Sequence, residues 1–213
     1  MTGDHYFSQS PESELKIKNV TVDLAGAPRR VTTANGIFSP DRIDLGTRVL
    51  LGSTPPPPIG GHLLDLGCGW GPIALTLGLL SPDATVWAVD VNERALDLVR
   101  RNAASLGAEN VHAVLPDDVP GDVRFSTIWS NPPIRVGKSE LHNMLQRWIP
   151  RLVPGSDGYF VVQRNLGSDS LQRWLRAELH DEYSVARVAT SKGYRVLRTR
   201  RHTGSTEPVD VVN

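Results

Sequence analysis

The chain has 213 residues, enough for one domain with a sizeable core, and none of its apolar runs is as long as a membrane span. Its one cysteine excludes an internal disulfide and fits a reducing compartment, so we expect a cytoplasmic protein. Residues 1–122 contain nine Lys and Arg and fifteen Asp and Glu, a net charge of −6. Residues 123–202 contain fourteen Lys and Arg and six Asp and Glu, a net charge of +8. This division favours a basic face for a polyanion, although arginines that only solvate helices give the same pattern.

The N-terminal region is predicted to be a hairpin followed by a helix. Residues 15–24 alternate apolar and polar side chains as a half-buried strand does, and residues 29–33 have the composition of a return strand. The Ser-Pro-Asp sequence at 39–41 combines a capping hydroxyl, a first-turn proline and an early acid, which predicts a helix start there. That helix is expected to run through Leu51. Four prolines at 55–58 then form a stiff link to the rest of the chain.

The most informative stretch is Leu-Leu-Asp-Leu-Gly-Cys-Gly-Trp-Gly-Pro at residues 63–72. Apolar residues run into Asp65, three glycines follow at alternate positions, and a proline opens an apolar helical pattern over residues 73–80. This order predicts a strand, a tight turn and a helix, the arrangement with which open α/β sheets hold a phosphate or nucleotide. The spacing G-x-G-x-G differs from the G-x-G-x-x-G of dinucleotide dehydrogenases. A tight loop that binds nothing would explain the motif by itself.

Strands and helices alternate after this motif, which predicts a parallel sheet covered on both faces. The last two strands lie too close for a crossover helix and are expected to pair antiparallel. The predicted fold class is therefore α/β, a seven-stranded, mostly parallel, doubly wound (Rossmann-like) sheet with an antiparallel last strand and an N-terminal β-hairpin extension. The strands predicted after the motif are 84–90, 110–115, 125–130, 158–163, 184–190 and 193–200.

Four chemically distinctive features follow four successive predicted strands, and parallel strands bring their carboxyl ends to one edge of a sheet. The glycine turn is the first. Asp90 ends the second strand, where a carboxylate can accept from two ribose hydroxyls, and Asp117 and Asp118 follow the third, where an acid can accept from an adenine amine. Asn-Pro-Pro-Ile at 131–134 follows the fourth. A helix cap would explain Asp90 and a loop would explain the acidic pair, but the four together predict a site for a nucleoside-like ligand.

The Asn-Pro-Pro segment indicates the reaction type. Each proline restricts the residue before it, so the backbone is held extended. The amide oxygen of Asn131 and the carbonyl of Pro132 can then point at one amino group, and two acceptors that hold both hydrogens leave the nitrogen lone pair facing an electrophile. Such a reaction depends on positioning and electrostatics without a general base. The plain alternative is that the segment is only a turn.

These motifs together resemble those of class I methyltransferases that use S-adenosylmethionine. The segment 131–134 resembles the Asn/Asp-Pro-Pro-aromatic motif of members that methylate amino groups of nucleobases or glutamine. Gly-Ile-Phe-Ser-Pro-Asp-Arg-Ile-Asp-Leu-Gly at 36–46 resembles the segment before the cofactor motif in the small-subunit ribosomal RNA guanine-N2 methyltransferase C family. Segments 131–138 and 192–197 are similar to its compact archaeal and bacterial single-domain members. The resemblance covers roughly residues 5–201.

The resemblance implies S-adenosylmethionine as cofactor, a guanine amine of ribosomal RNA as acceptor, and that RNA or the small ribosomal subunit as partner. We expect one methyltransferase domain over 1–202, with a cover (1–54), a catalytic core (60–202) and a flexible tail (203–213). No membrane and no metal are expected, and the protein is expected to be a monomer or a weak homodimer. Ile134 departs from the family's aromatic residue and offers no π-stacking to an extruded base. Larger members also carry two copies of the fold, where this chain has one.

The implied site residues fall into three groups. The catalytic group is Asn131, Pro132, Pro133 and Ile134. The cofactor-binding group is Phe38, Ser39, Asp65, Gly67, Cys68, Gly69, Asp90, Val91, Asp117, Asp118 and Asn131. The RNA-binding group, drawn from the basic half of the chain, is Arg135, Lys138, Lys192, Arg195, Arg198 and Arg200.

Two other functions stay open at this point. Protein glutamine methyltransferases share the Asn-Pro-Pro motif, but they usually end it with an aromatic residue and carry a different N-terminal domain. The second open function is a non-catalytic module that binds the cofactor and RNA. The intact Asn-Pro-Pro motif argues against this function. The basic half of the chain favours RNA over protein as substrate. A dinucleotide-dependent reductase is disfavoured by the glycine spacing, and the six histidines and one cysteine show no metal-ligand spacing.

Overall fold

The structure is a computed structural model that describes residues 14–134 and 137–204. Within these residues the chain forms nine strands and five α-helices. The strands are β1 (Ile17–Leu24), β2 (Ala27–Ala34), β3 (Gly60–Leu66), β4 (Asp83–Val89), β5 (Val111–Val114), β6 (Phe125–Ser130), β7 (Leu152–Gln163), β8 (Tyr183–Ser191) and β9 (Tyr194–Arg201), and the helices are α1 (Leu45–Ser53), α2 (Pro72–Leu80), α3 (Glu93–Leu106), α4 (Lys138–Trp148) and α5 (Ser168–Glu178).

Seven strands form one sheet in the order β5-β4-β3-β6-β7-β9-β8. The first five are parallel, whereas β9 runs antiparallel to both β7 and β8. The order reverses at β3, which makes the carboxyl ends of β3 and β6 the place where open α/β sheets bind ligands. β1 and β2 pair separately as a hairpin. The predicted fold class, with its antiparallel last strand and its N-terminal hairpin, is confirmed.

Helices cover both faces of the sheet. Leu50 of α1, Ile73 of α2 and Leu96 of α3 belong to the apolar core on one face, where the hairpin also packs. Leu145 of α4 and Leu175 of α5 belong to the core on the other face. The central strands are therefore buried on both sides, which explains their nearly continuous apolar sequences.

Asn102 on α3 ties the hairpin to the rest of the fold. Its Oδ1 accepts from the Thr32 backbone N–H at 2.7 Å, and its Nδ2 donates to the carbonyls of Thr32 at 2.9 Å and Trp70 at 3.3 Å. Asn92 Nδ2 also donates to the Gly36 carbonyl at 3.1 Å. Because Asn102 is fully buried, each unmade bond would cost about 1–3 kcal/mol. The hairpin is thus packed as one unit with the glycine turn.

Two predicted boundaries are wrong for identifiable reasons. Helix α1 begins at Leu45 with Asp44 as its N-cap, and not at residues 39–41. Ser39 has a φ of 47° in the left-handed region, and its hydroxyl donates to the Arg42 carbonyl at 2.6 Å, which makes this segment a turn. β7 begins at Leu152, six residues before the predicted start. Most of the predicted tail, residues 205–213, lies outside the described residues. No helix of residues 14–134 and 137–204 combines the length and apolarity needed to span a membrane.

Candidate active site

A cavity of about 790 Å³ opens at the carboxyl ends of β3, β4 and β6. Ligand pockets usually have volumes of roughly 300–1,000 Å³. Its walls are the glycine turn, the end of β4, the Asn-Pro-Pro loop, the start of α1 and one side of α4. The cavity therefore lies at the edge of the sheet where the sequence predicts a ligand site. The predicted residues that line it are Phe38, Ser39, Gly67, Cys68, Gly69, Asp90, Val91, Asn131, Pro132, Pro133 and Ile134.

The glycine turn is held against β4 and leaves its cavity side open. The N–H groups of Gly67 and Cys68 donate to the Val89 carbonyl at 2.8 and 3.0 Å. Gly67 and Gly69 have φ values of 77° and 54°, a conformation that other residues adopt at a cost. A Cβ at Gly67 would lie 3.6 Å from Pro133 Cδ. The missing side chain thus keeps free the space between the turn and the Asn-Pro-Pro loop.

Asp65 does not line the cavity, so its expected direct contact with a cofactor is corrected. The carboxyl group is fully buried, and its Oδ2 accepts from the Ala74 N–H of α2 at 2.8 Å. Burial raises the pKa of Asp65 to about 8, and the charge of Asp90 adds to this rise. Burial, with the charges of Asp90 and Asp65, also raises the pKa of the Cys68 thiol. Asp65 therefore positions the turn by fixing the start of α2.

Asp90 presents a carboxylate to the cavity at the end of β4. Its Oδ2 accepts from the Gly69 N–H and its Oδ1 from the Asn92 N–H, each at 2.9 Å. Burial raises the pKa of Asp90, against the opposing effect of these backbone donors. Each carboxylate oxygen has a further lone-pair site. Val91 contributes a further backbone hydrogen bond, and Asp90 can still accept from a hydroxyl of a ligand in the cavity.

Replacing Asp90 by alanine is expected to weaken cofactor binding by about 1–3 kcal/mol, because the ribose hydroxyls would lose their acceptors in a closed site. Isothermal titration calorimetry with S-adenosylmethionine measures this change. Asp83→Ala, which removes an exposed acid at the start of the same strand, is the matched control. Equal affinities of the Asp90→Ala variant and the wild type would remove Asp90 from the cofactor site.

Asp117 and Asp118 do not line the cavity, although both lie in the turn that follows β5. Both are exposed, and the carboxylate of Asp117 pairs with the Arg147 guanidinium at 2.8 Å. The same guanidinium donates to the Pro116 carbonyl at 2.7 Å, and Pro116 and Arg147 themselves line the cavity. Arg147 thus draws Asp117 to α4 and Pro116 forms the wall, and the contact of the acidic pair with an adenine amine stays a prediction.

The segment before α1 closes the cavity from the side of the hairpin. Trp70 Nε1 donates to the Ser39 carbonyl at 3.1 Å, and the Thr33 hydroxyl donates to the Pro40 carbonyl at 2.6 Å. Ser39 lines the cavity, and so does the partly exposed side chain of Phe38. These bonds place both predicted residues beside the glycine turn.

Asn131 directly follows β6, and its amide group is held by the N-cap residue and a first-turn residue of α1. Nδ2 donates to Asp44 Oδ2 at 3.0 Å and to Thr47 Oγ1 at 3.1 Å. The Pro132 carbonyl accepts from the Ile134 N–H at 2.9 Å and retains its second lone pair. The amide oxygen of Asn131 and this carbonyl are thus two acceptors on one loop.

The predicted RNA-binding residues that the structure describes do not form one surface. Lys138 and Lys192 are exposed, at the start of α4 and beside Tyr194, and both elements contribute to the cavity. Arg198 and Arg200 share one side of β9, as predicted, but both face Asp157, at 3.7 and 2.9 Å. They pair with Tyr159 and Asp157 in the middle of β7, away from Gln163, which lines the cavity at the end of that strand. Arg135 lies outside the described residues.

Arg195 is corrected as a phosphate contact. Only 8% of the residue is exposed, so it offers little surface to a polyanion. Its guanidinium forms an ion pair with Asp169 and donates to the Ser168 hydroxyl at 3.2 Å. Arg195 therefore joins β9 to the start of α5.

Polar cavity residues missed in the sequence include Asp44, Thr47, Arg147 and Tyr194. Asp44 carried a signal, since an acid two residues before a glycine and an apolar run is a helix N-cap pattern. That pattern was masked by the stronger signature at 39–41. The other three come from α1, α4 and β9, and no local spacing links them to the glycine turn.

The residues present fit S-adenosylmethionine. Asp90 keeps an acceptor site for a ribose hydroxyl, and the glycine turn leaves open space beside it. The Asn-Pro-Pro loop borders the same space through Pro133. In the part of the chain that the structure describes, no group of three or more His, Cys, Asp or Glu is placed to hold a metal ion.

The fold and this site define an S-adenosylmethionine-dependent methyltransferase of class I. The chain belongs to the methyltransferase small domain family, whose model matches residues 28–198.

Relatives extend the match over nearly the whole chain. The Bacillus subtilis protein YbxB is 34% identical over 201 residues, which are 93% of this chain and 98% of that protein. Ribosomal RNA small subunit methyltransferase C of Pseudomonas aeruginosa is 31% identical over 197 residues, which are 90% of this chain and 57% of that protein. The chain thus spans little more than half of the latter protein.

A solved structure shares the fold. A T. thermophilus 16S rRNA N2 methyltransferase (RsmC), in complex with AdoMet and guanosine, superimposes with a TM-score of 0.76 at 20% identity. The match covers 90% of this chain and 52% of that chain. At this identity the likeness establishes the fold.

Proposed function

We propose that the protein transfers a methyl group from S-adenosylmethionine to an exocyclic amine of a nucleobase in ribosomal RNA, the N2 amine of guanine in the small-subunit RNA. The observation that carries this proposal is the fixed amide of Asn131, whose nitrogen is held by α1 while its oxygen is left to the cavity. The P. aeruginosa and T. thermophilus proteins are both ribosomal RNA methyltransferases, which supports the choice of ribosomal RNA.

The proposed reaction needs two hydrogen-bond acceptors on the protein and one bound methyl donor. The Asn131 amide oxygen and the free lone pair of the Pro132 carbonyl accept the two hydrogens of the substrate amine. Its nitrogen lone pair is then directed into the cavity rather than delocalised into the base. The bound cofactor supplies an electrophilic sulfonium methyl group. Positioning in this way accounts for most of the expected acceleration.

Ile134 gives the acceptor base an aliphatic wall. It lines the cavity and packs against the apolar core below α4. An aliphatic side chain contacts the face of a base by dispersion, without the stacking that an aromatic residue provides. Gln163 and Tyr194 also line the cavity and offer polar groups to the base edge. These residues leave room for a purine held chiefly by its amine.

The proposal is tested by transfer of labelled methyl from S-adenosylmethionine to small-subunit ribosomal RNA, naked and in assembled subunits. Mass spectrometry of nucleosides from the product is expected to show N2-methylguanosine. The same measurement on cells with and without the protein identifies the modified position. Labelling of a protein glutamine instead, with none in RNA, would contradict the proposal. We also propose that the protein acts in the cytoplasm as one domain. We propose that it is a monomer or a weak homodimer, and analytical ultracentrifugation can measure this oligomeric state.

Lys192 is expected to contact RNA phosphate, whereas Arg200 is not. Lys192 is exposed beside Tyr194 at the cavity, but Arg200 pairs with Asp157 farther along the sheet. Lys192→Glu is therefore expected to lower RNA affinity and to reduce the salt slope by about one unit per lost phosphate contact. Arg200→Glu is the matched control of equal charge change. The comparison uses filter binding at several salt concentrations. A larger effect at Arg200 would place the RNA at the carboxyl end of β9, away from the cavity.

A further inference from the structure

The orientation of Asn131 is imposed by helix α1. Asp44 Oδ2 and Thr47 Oγ1 accept from its Nδ2 at 3.0 and 3.1 Å. An asparagine amide nitrogen carries two N–H groups, so both are engaged by α1. The amide oxygen lies on the other branch of the planar group and is left for the cavity, which all three residues line.

Asp44 discriminates between the two possible amide orientations. A carboxylate accepts hydrogen bonds and does not donate them. In the flipped orientation, the Asn131 oxygen would face the Asp44 oxygen, and two acceptors would repel each other. The Thr47 hydroxyl alone would not discriminate, because it can either donate or accept. The carboxylate and the hydroxyl together fix one orientation.

Asp44 is itself held in place. It is the N-cap of α1, and its Oδ2 also accepts from the Gly46 N–H at 2.7 Å. The ring of Tyr194 packs on Gly46 so closely that a Cβ there would lie 2.8 Å from Tyr194 Cε1. Strand β9 thereby supports the start of α1 directly below the Asn131 contact.

We infer that Asp44 and Thr47 are positioning residues that hold the amide oxygen of Asn131 toward the substrate amine. The inference rests on the proposed amine-holding role of Asn131. Neither residue takes part in the transfer itself. Without them the amide rotates between two orientations, and only one of these presents an acceptor to the amine.

The test uses variants that keep the fold. Thr47→Val removes the hydroxyl at nearly equal volume, and Asp44→Ser keeps a helix-capping oxygen but is too short to reach Asn131. Each is expected to lower kcat about 5- to 10-fold, the value of one hydrogen bond, with an unchanged Kd for S-adenosylmethionine. Thr47→Ser retains the hydroxyl and is expected to recover most of the rate. Thr76→Val is the matched control, because this buried threonine bonds the Pro72 carbonyl within α2 and does not line the cavity.

The Asn131→Ala background separates positioning from a merely structural role. There, Thr47→Val and Asp44→Ser are expected to cause no further loss of rate, since they act through Asn131. A further loss equal to that in the wild-type background would overturn the inference.

Nuclear magnetic resonance gives a readout that needs no RNA. The side-chain amide signals of Asn131, assigned by their loss in Asn131→Ala, are expected to shift and to exchange faster in Thr47→Val. Unchanged signals would overturn the inference. If the wild type methylates no RNA while these signals do shift, the proposed function fails and the orientation by α1 stands.

Discussion

Replacing Asn131 by alanine is expected to slow methyl transfer by about two to three orders of magnitude, the usual cost of removing one positioned, charge-stabilising partner. The substitution removes the amide oxygen that is proposed to accept from the substrate amine. Asp44 keeps its bond to the Gly46 N–H, so the start of α1 survives. Cofactor affinity is expected to change little, because the glycine turn and Asp90 are the proposed cofactor contacts.

Single-turnover methyl transfer measures the rate, and calorimetry with S-adenosylmethionine measures the affinity. Asn165→Ala is the matched control, since this exposed amide lies outside the cavity. An Asn131→Ala variant that transfers methyl at the wild-type rate would refute the amine-holding role. A parallel loss of cofactor affinity would instead make Asn131 a cofactor ligand.

Replacing Asp65 by asparagine is expected to flatten the dependence of stability on pH. Burial raises the pKa of Asp65 from 3.8 to about 8 in the folded protein. Between these values the unfolded chain releases a proton that the folded chain keeps, so the free energy of unfolding falls as pH rises. The slope is at most about 1.4 kcal/mol per pH unit. Below pH 4 the stabilisation is complete, and above pH 8 it is lost.

Urea unfolding of the cofactor-free protein between pH 5 and 8 measures this slope. Only the slope is compared, because the substitution also changes the absolute stability. The new amide NH₂ would replace Asp65 Oδ1, which has no hydrogen-bond partner in the described residues, and would itself be buried without an acceptor. Asp23→Asn, at an exposed position of β1, is the matched control. An identical slope in Asp65→Asn and the wild type would show that Asp65 is ionised in the folded protein.

The fold was predictable wherever a local pattern marked both ends of an element. Asn92 and Gly107 bound α3 as expected, since one accepts from the first N–H groups and the other takes the left-handed conformation. β6 matches its predicted range, residues 125–130. The start of α1 was not predictable, because bonds from Thr33 and Trp70 hold the Ser39-Pro40 segment as a turn. Such long-range bonds override a local capping signature.

The site was predictable from strand ends but its supporting partners were not. Asp90 and the Asn-Pro-Pro loop reach the cavity because parallel strands share one carboxyl edge. Asp44 lies 87 residues before Asn131, and no periodicity links the two. The same limit applies to Arg147, which pairs with Asp117, and to Arg195, which the sequence alone placed on the surface. Charge counts predict a basic half and do not show which arginines are already neutralised.

Strand β9 is made after every other strand of the sheet, yet it lies inside the sheet between β7 and β8. During synthesis, β7 and β8 therefore emerge before β9, and each has one edge that lacks its pairing strand. An unpaired strand edge invites pairing with another chain. Closure of this side waits for residues 194–201, so a nascent chain halted before Tyr194 would hold two aggregation-prone edges open. The nascent protein therefore stays prone to aggregation until β9 is synthesised and pairs with β7 and β8, even if the rest of the core has already collapsed.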